Sequence, residues 1–293
     1  MSIASCMKPG KVQTLEQIDE EVAALLTKGV RIPSQPKVVQ DVLSMLQSNR
    51  LEIRDMAEAI SLDAGLTALL YRLTRSVAFA RRRAPETLEQ ILVLVGTRQA
   101  AMLVQSYGVT QAFNSNSRVL EQFWTRSIEI AQLASAIAYE RISVCNIFPE
   151  QAFMVGIFHD CGVPVLMQRF PHYCKAIGLG GAKRKWPDVR EEDAIFTVDH
   201  CSIGYLLARH WRLPDFVADA ILHHHEIENM RPNASRSMVS VLQLAIHLYS
   251  LDQGLDSPEW PRIEPVVREE LGLHPDELPH FCDEIMELYQ TLQ

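Results

Sequence analysis

The chain has 293 residues, of which 47% are hydrophobic and 22% charged, with a formal net charge of −8. This balance is typical of a globular protein with a sizeable core and excludes a disordered chain. The negative charge disfavours general nucleic-acid binding, because an acidic surface repels phosphate backbones. No uncharged apolar stretch could span a bilayer and residues 1–11 lack a signal-peptide core, so we expect a cytoplasmic protein without a membrane role.

Hydrophobic residues recur at helical spacing along most of the chain, which predicts an all-α fold. The stripes cover residues 38–46, 56–60, 66–73, 91–95, 130–138 and 278–292. Pro149, Pro164 and Pro214 stand where helices are expected to begin, a position that suits a residue with fixed φ and no N–H. Strand-like alternation is nearly absent, so we predict many short helices and no sheet.

A polar stretch at 113–117 is the best internal boundary. It predicts an N-terminal helical lobe over about residues 30–115 and a second lobe over about 117–250. Residues 1–29 and 251–293 are then expected to form helical extensions at either end. Two basic runs, 81–83 and 183–185, fall in predicted loops; they could bind nucleic acid, but solvated loops are the favoured interpretation.

Histidines are the most informative polar residues. His159 and Asp160 follow an apolar helix, and imidazole nitrogen with carboxylate oxygen suits a divalent metal. Neighbours in a helix point about 100° apart, so both could reach one ion only if a turn follows, as Gly162 allows. A hydrogen bond that closes the helix end is the alternative. The run His223–His225 also follows an apolar helix, where capping of the helix C-terminus competes with metal binding.

Several segments together resemble one known family. Residues 32–36 resemble its "LPxLP" element, and Gly156–Gly162 resembles its "GLLHDIG" motif. The other matching segments are 60–76, 91–96, 199–204, 211–214 and 220–225. The chain is thereby identified as similar to the HDOD domain, the HD-related output domain of bacterial signalling proteins, over about residues 30–250. The resemblance implies a multi-helix HD-like bundle with an N-terminal helical lobe, related to HD and HD-GYP metal-dependent phosphohydrolases.

The resemblance also implies a set of metal ligands. Those that this chain retains are His159, Asp160, His200, His224 and His225. Two expected ligands are missing: Arg126 stands where catalytic relatives have their first histidine, and Ile246 where they have the last aspartate. A permanent cation opposes a dication at the same place, so we hypothesise that Arg126 pairs with Asp160 and replaces one metal.

The broken ligand set favours a protein without catalytic residues. The resemblance implies a signalling or scaffold module that acts through protein–protein contacts with partners in a bacterial pathway. The remaining ligands could hold one divalent metal ion, and otherwise no cofactor is expected. The alternative is a metal-dependent phosphohydrolase acting on a nucleotide or cyclic dinucleotide, because hydrolysis needs a metal that activates water and offsets phosphate charge.

Overall fold

The computed structural model describes residues 35–47, 52–74, 85–112, 118–180 and 186–291. Within these ranges it is helical and has no β-strand, which confirms the all-α prediction. The predicted N-terminal extension, the boundary stretch 113–117 and both basic runs lie outside the described residues. None of the described helices is long and apolar enough to cross a membrane.

The helices follow one another with short connections, and a 3₁₀ turn at Ile227–Asn229 follows the histidine run. In chain order they are α1 (Lys37–Gln47), α2 (Ile53–Ser61), α3 (Ala64–Thr74), α4 (Leu88–Val95), α5 (Thr97–Ala112), α6 (Arg118–Cys145), α7 (Pro149–Phe158), α8 (Gly162–Arg169), α9 (Tyr173–Ile177), α10 (Val189–Phe196), α11 (His200–His210), α12 (Asp215–His223), α13 (Ala234–Asp252), α14 (Trp260–Glu270) and α15 (Leu278–Gln290).

Side-chain caps fix two helix starts that matter for the site. Asp188 accepts hydrogen bonds from the backbone N–H groups of Arg190 and Glu191 and starts α10. Asp199 accepts one from the backbone N–H of Ser202 and starts α11. Each cap satisfies N–H groups that the helix leaves without a partner, which is worth about 1 kcal/mol. The caps place α10 and α11 so that a buried acid and a buried histidine face each other.

The centre of the fold is α6, a helix of 28 residues that packs against α7, α13 and α15. Its contact with α7 is very close, because a Cβ added at Gly156 would lie 2.4 Å from Ala131 Cα. The two backbones can approach this far only because Gly156 has no side chain. This contact brings Arg126 on α6 next to the turn that follows α7.

Two hydrophobic clusters hold the chain together. Helices α1 to α5 surround the smaller one, and it joins the rest of the fold through Ala131, Phe153 and Ile157 on α6 and α7. The larger cluster includes Val267 from α14 and Ile285 from α15 beside residues of α6 to α13. The C-terminal segment therefore shares the core of the histidine-bearing lobe.

Candidate functional site

The pair His159 and Asp160 lies in the turn between α7 and α8, and both residues are buried. The turn brings both side chains inward, so that His159 Nε2 lies 3.2 Å from Asp160 Oδ2. The next helix starts at Gly162 against α11, because a Cβ at Gly162 would lie 2.1 Å from the carbonyl oxygen of His200. The absence of a side chain at Gly162 thus allows the turn to lie directly beside His200.

Arg126 fills one side of this turn. Its Nη1 lies 2.6 Å from Asp160 Oδ2 and 3.1 Å from His159 Nε2. His159 Nδ1 lies 2.6 Å from the Gly156 carbonyl, which accepts a hydrogen bond from Nδ1–H. That tautomer leaves Nε2 as an acceptor for the Arg126 N–H. The guanidinium therefore donates to side-chain atoms of two residues that the family resemblance implies as metal ligands.

The other oxygen of Asp160 faces two histidines. Asp160 Oδ1 lies 3.4 Å from His200 Nε2 and 3.3 Å from His224 Nε2. The two Nε2 atoms are 3.4 Å apart. Asp160 Oδ1 and the two Nε2 atoms, all possible metal-ligand atoms, thus form a nearly equilateral triangle. The triangle is buried and lies on the other side of Asp160 from the oxygen that Arg126 binds.

Hydrogen bonds behind the triangle set the orientation of both histidines. His200 Nδ1 lies 2.6 Å from Glu192 Oε2, a fully buried carboxylate on α10 that Tyr173 also contacts through its hydroxyl. His224 Nδ1 lies 2.8 Å from the Ile221 carbonyl. Because each Nδ1–H donates to an oxygen, each Nε2 is left to face Asp160. Carboxylate and carbonyl partners of this kind orient metal-binding histidines in proteins and fix their tautomers.

The triangle fits a tetrahedral metal ion. Zinc binds imidazole nitrogen and carboxylate oxygen at about 2.0–2.2 Å, so two ligand atoms of a tetrahedral site lie roughly 3.4 Å apart. The three measured distances of 3.3 to 3.4 Å agree with this separation. Asp160, His200 and His224 are therefore the residues that could hold one divalent ion.

His225 differs from the other retained histidines. Its Nδ1 lies 2.8 Å from Glu259 Oε2, and the side chain is 20% exposed. His159 is likewise held by other partners, Gly156 and Arg126. The structure thus brings all five predicted ligands together but joins only three of them in the triangle.

Burial and charge act against each other at the site. Burial raises the pKa of Asp160, but neighbouring His159 and Arg126 lower it by a larger amount. The pKa of Asp160 therefore lies well below its usual value. Burial lowers the pKa of His200, but Cys201 and Glu192 raise it well above the usual value. Burial and the neighbouring His225 lower the pKa of His224 well below its usual value. Metal binding requires the Nε2 atoms of His200 and His224 to carry no proton, so it would weaken as the pH falls.

A cavity of about 400 Å³ lies beside the site. Arg126, Asp160 and His224 line it, together with Ile246, which stands where the family resemblance implies a further metal ligand. The aromatic rings of Trp186, His247 and Trp260 form part of its walls. The guanidinium carbon of Arg126 lies 4.2 Å from the ring centre of Trp186, and the rings of His247 and Trp260 stack at 3.9 Å.

The stacked His247 gives a prediction about pH. Burial lowers its pKa from 6.5 to about 4, so the folded protein keeps the ring neutral. Below pH 6.5 the unfolded chain binds a proton that the folded chain does not bind, and the folded state loses stability until the pH reaches about 4. We expect His247→Phe, which keeps an aromatic ring for the stack, to reduce this loss. Urea unfolding at pH 7 and pH 5, with a chelator present, measures how much the free energy of unfolding falls between the two pH values.

The matched control is His280→Phe, because the His280 side chain is 80% exposed on α15. The control should lose as much stability between pH 7 and pH 5 as the unchanged protein does. An equal loss in the His247→Phe protein would contradict the prediction.

Sequence reasoning missed Glu192, Cys201 and Glu259 as members of the site. Glu192 stands in the run 191–193, which looks like the acidic first turn of a solvated helix. Cys201 is buried, and its Sγ lies 3.5 Å from His200 Nε2. Its position directly after a predicted ligand was the one available signal.

Comparisons with known proteins agree with this architecture. The chain is 21% identical over 244 residues to an uncharacterised protein of Treponema pallidum, a match that covers 83% of this chain and 47% of that relative. The chain thus spans about half the length of the curated relative it matches. A candidate metal-dependent phosphohydrolase from Shewanella amazonensis has a similar structure, with 16% identity, a TM-score of 0.71, and coverage of 94% of this chain and 96% of the other.

Two further solved structures share the fold. An HDOD domain protein of unknown function from Geobacter sulfurreducens is 22% identical with a TM-score of 0.63, over 93% of this chain and 96% of the other. A candidate signal transduction protein from Marinobacter aquaeolei is 17% identical with a TM-score of 0.63, over 99% of this chain and 62% of the other. A family model for the HDOD domain matches residues 32–227. With more than half of its length matched by that model, the chain belongs to the HDOD domain family.

Proposed function

We propose that this chain is a non-catalytic signalling module of a bacterial pathway, which acts through contacts with partner proteins and holds one metal ion at Asp160, His200 and His224. The observation that carries the proposal is the position of Arg126 Nη1, between Asp160 Oδ2 at 2.6 Å and His159 Nε2 at 3.1 Å. A second metal at that place would have to displace a paired, buried cation.

The loss of that metal position bears directly on hydrolysis. Two-metal phosphohydrolases use the ions as a clamp on the attacking and the leaving oxygen. Arg126 removes one position by its charge, and Ile246 offers no ligand atom to rebuild it. A single ion at the triangle could not contact both the attacking and the leaving oxygen, so it would stabilise the transition state of hydrolysis less. This favours a role in structure or sensing over turnover.

Exposed apolar side chains support a role in protein contacts. Val144 at the end of α6 and Phe148 just before α7 are 50% and 49% exposed, and Ile142 is 39% exposed. These three residues lie within seven positions, at the connection between α6 and α7. They are the candidates for a contact surface, because exposed apolar patches mark sites of protein interaction.

Phosphohydrolase activity is the second candidate, because the cavity of about 400 Å³ adjoins Asp160 and His224. A catalytic metal needs an open position beside its protein ligands, and the cavity would supply it. This alternative is therefore the outcome that the experiment has to exclude.

The test combines metal analysis with a diesterase assay, using bis(p-nitrophenyl) phosphate in added Mn²⁺. We expect the unchanged protein to bind about one ion per chain and to show no turnover above the protein-free rate. The variant Arg126→His/Ile246→Asp restores both missing ligands and is expected to bind about two ions per chain. Far-ultraviolet circular dichroism checks that the variant is folded.

Turnover by the unchanged protein that disappears in Asp160→Ala would overturn the proposal in favour of the hydrolase. A second ion in the unchanged protein would equally contradict the role given to Arg126.

A further inference from the structure

Cys201 lies against the candidate metal ligands. It follows His200 in the first turn of α11 and is 4% exposed. Its Sγ is 3.5 Å from His200 Nε2 and 3.7 Å from His224 Nδ1. With His200, His224 and His225 it forms a group whose ligand atoms all lie within 4.8 Å of one another. The neighbouring Cys161 instead has its Sγ 3.7 Å from the Gly204 carbonyl.

The distance between the sulfur and His200 Nε2 suits a fourth ligand, and the sulfur contacts His224 on its Nδ1 side. Zinc binds thiolate at about 2.3 Å and imidazole at about 2.0–2.1 Å, so the two donor atoms of a tetrahedral site lie roughly 3.6 Å apart. The separation of 3.5 Å between Cys201 Sγ and His200 Nε2 agrees with this value. His225 is the other residue near enough, but its side chain is partly exposed, whereas Cys201 is buried.

The charge of the buried site suits a divalent ion. Asp160, Glu192 and Asp199 bring three negative charges and Arg126 one positive charge into the same buried region. A bound dication would compensate the remaining two negative charges, and burial of an uncompensated charge is costly. A thiolate at Cys201 would form only with the metal–sulfur bond, as its proton is released to solvent.

We propose that Cys201 is a ligand of the metal ion, so that two histidines, one carboxylate and one thiolate form the site. This inference rests on the proposed one-metal site and adds its selectivity. Thiolate and imidazole bind Zn²⁺ and Co²⁺ well, whereas Mg²⁺ and Mn²⁺ prefer oxygen ligands. The site therefore selects Zn²⁺, a redox-inert ion that would hold the turn after α7 against α11 and α12.

Cobalt provides a readout that does not depend on activity. The full chain, stripped of metal and reduced, is titrated with Co²⁺ and followed by absorption spectroscopy. Thiolate ligation is expected to give a sulfur-to-cobalt charge-transfer band in the near ultraviolet. Cys201→Ser should lose that band and bind Zn²⁺ more weakly, with Mn²⁺ binding unchanged. The matched control, Cys161→Ser, removes the other buried thiol beside the turn and should keep the band.

The outcomes separate this inference from the proposed metal site. Stoichiometric cobalt without the band, or a band that persists in Cys201→Ser, would overturn the role of Cys201 and leave the site at Asp160, His200 and His224 intact. Equilibrium dialysis in which the unchanged protein binds no more Co²⁺ or Zn²⁺ than Asp160→Ala would overturn both. Circular dichroism of each variant shows whether a lost band reflects lost folding. A second measurement needs no variant: bound Zn²⁺ should protect Cys201 of the unchanged protein from alkylation.

Discussion

Replacing Arg126 with methionine is expected to lower the free energy of unfolding by about 3–5 kcal/mol. Methionine keeps a long apolar side chain beside Trp186 but removes the charge. Asp160, whose side chain is 5% exposed, then remains as a buried carboxylate without the cation 2.6 Å away. Removing one partner of a buried ion pair is costly, because the other charge stays in a medium of low dielectric constant. Urea unfolding at pH 7 in the presence of a chelator measures the loss.

The matched control is Arg209→Met. Arg209 pairs with Asp215, whose side chain is 84% exposed, so the control should lose at most about 1 kcal/mol. A similarly small loss for Arg126→Met would show that Asp160 does not depend on the guanidinium.

The effect of added metal on stability gives a further comparison, because Arg126→Met frees Asp160 Oδ2 and His159 Nε2 for a cation. Added Zn²⁺ should therefore stabilise this variant more than it stabilises the unchanged protein.

Gly162→Ala is expected to lower the free energy of unfolding by about 3 kcal/mol or more. A Cβ at this position would lie 2.1 Å from the His200 carbonyl oxygen and 2.8 Å from the Gly204 backbone nitrogen. Both contacts are with backbone atoms of α11, so no side chain can rotate to relieve them. The start of α8 has to move away from α11, which separates Asp160 from His200. We therefore expect weaker metal binding together with the lower stability, measured by urea unfolding and zinc titration.

Gly254→Ala is the control for this variant. A Cβ there meets nothing within 4 Å, although the residue has a φ of 62° that disfavours alanine. Its loss should be about 1 kcal/mol, with metal binding unchanged. Equal effects of the two substitutions would mean that the contact between α8 and α11 is not the cause.

The helices and their order could be predicted from sequence, because the apolar stripes have helical period and prolines stand near several helix starts. The stripe at 130–138 lies within α6, and Pro149 is the first residue of α7. The helices depend on local patterns, and local patterns are what a single sequence carries. The pairing of Arg126 with Asp160, 34 residues apart, was a hypothesis that only the family resemblance made possible.

The hydrogen bonds behind the ligands could not be predicted in the same way. Glu192 meets His200 because α10 and α11 pack at a particular rotation, and Glu259 meets His225 across 34 residues of chain. Such pairings depend on how helices cross, which hydrophobic period alone does not determine. The difference between the two oxygens of Asp160, one facing Arg126 and the other facing His200 and His224, likewise needs coordinates.

The cavity beside the site is lined both by residues within the segment that the family model matches and by residues that follow it. Asp160 and His224 lie within the segment that the HDOD model matches, whereas His247, Glu259 and Trp260 follow it. Substitutions after residue 227 can therefore change the lining of the cavity while Asp160 and His224 stay the same. Two proteins of the family could thus differ in what reaches the proposed metal site through changes outside the segment that the family model matches.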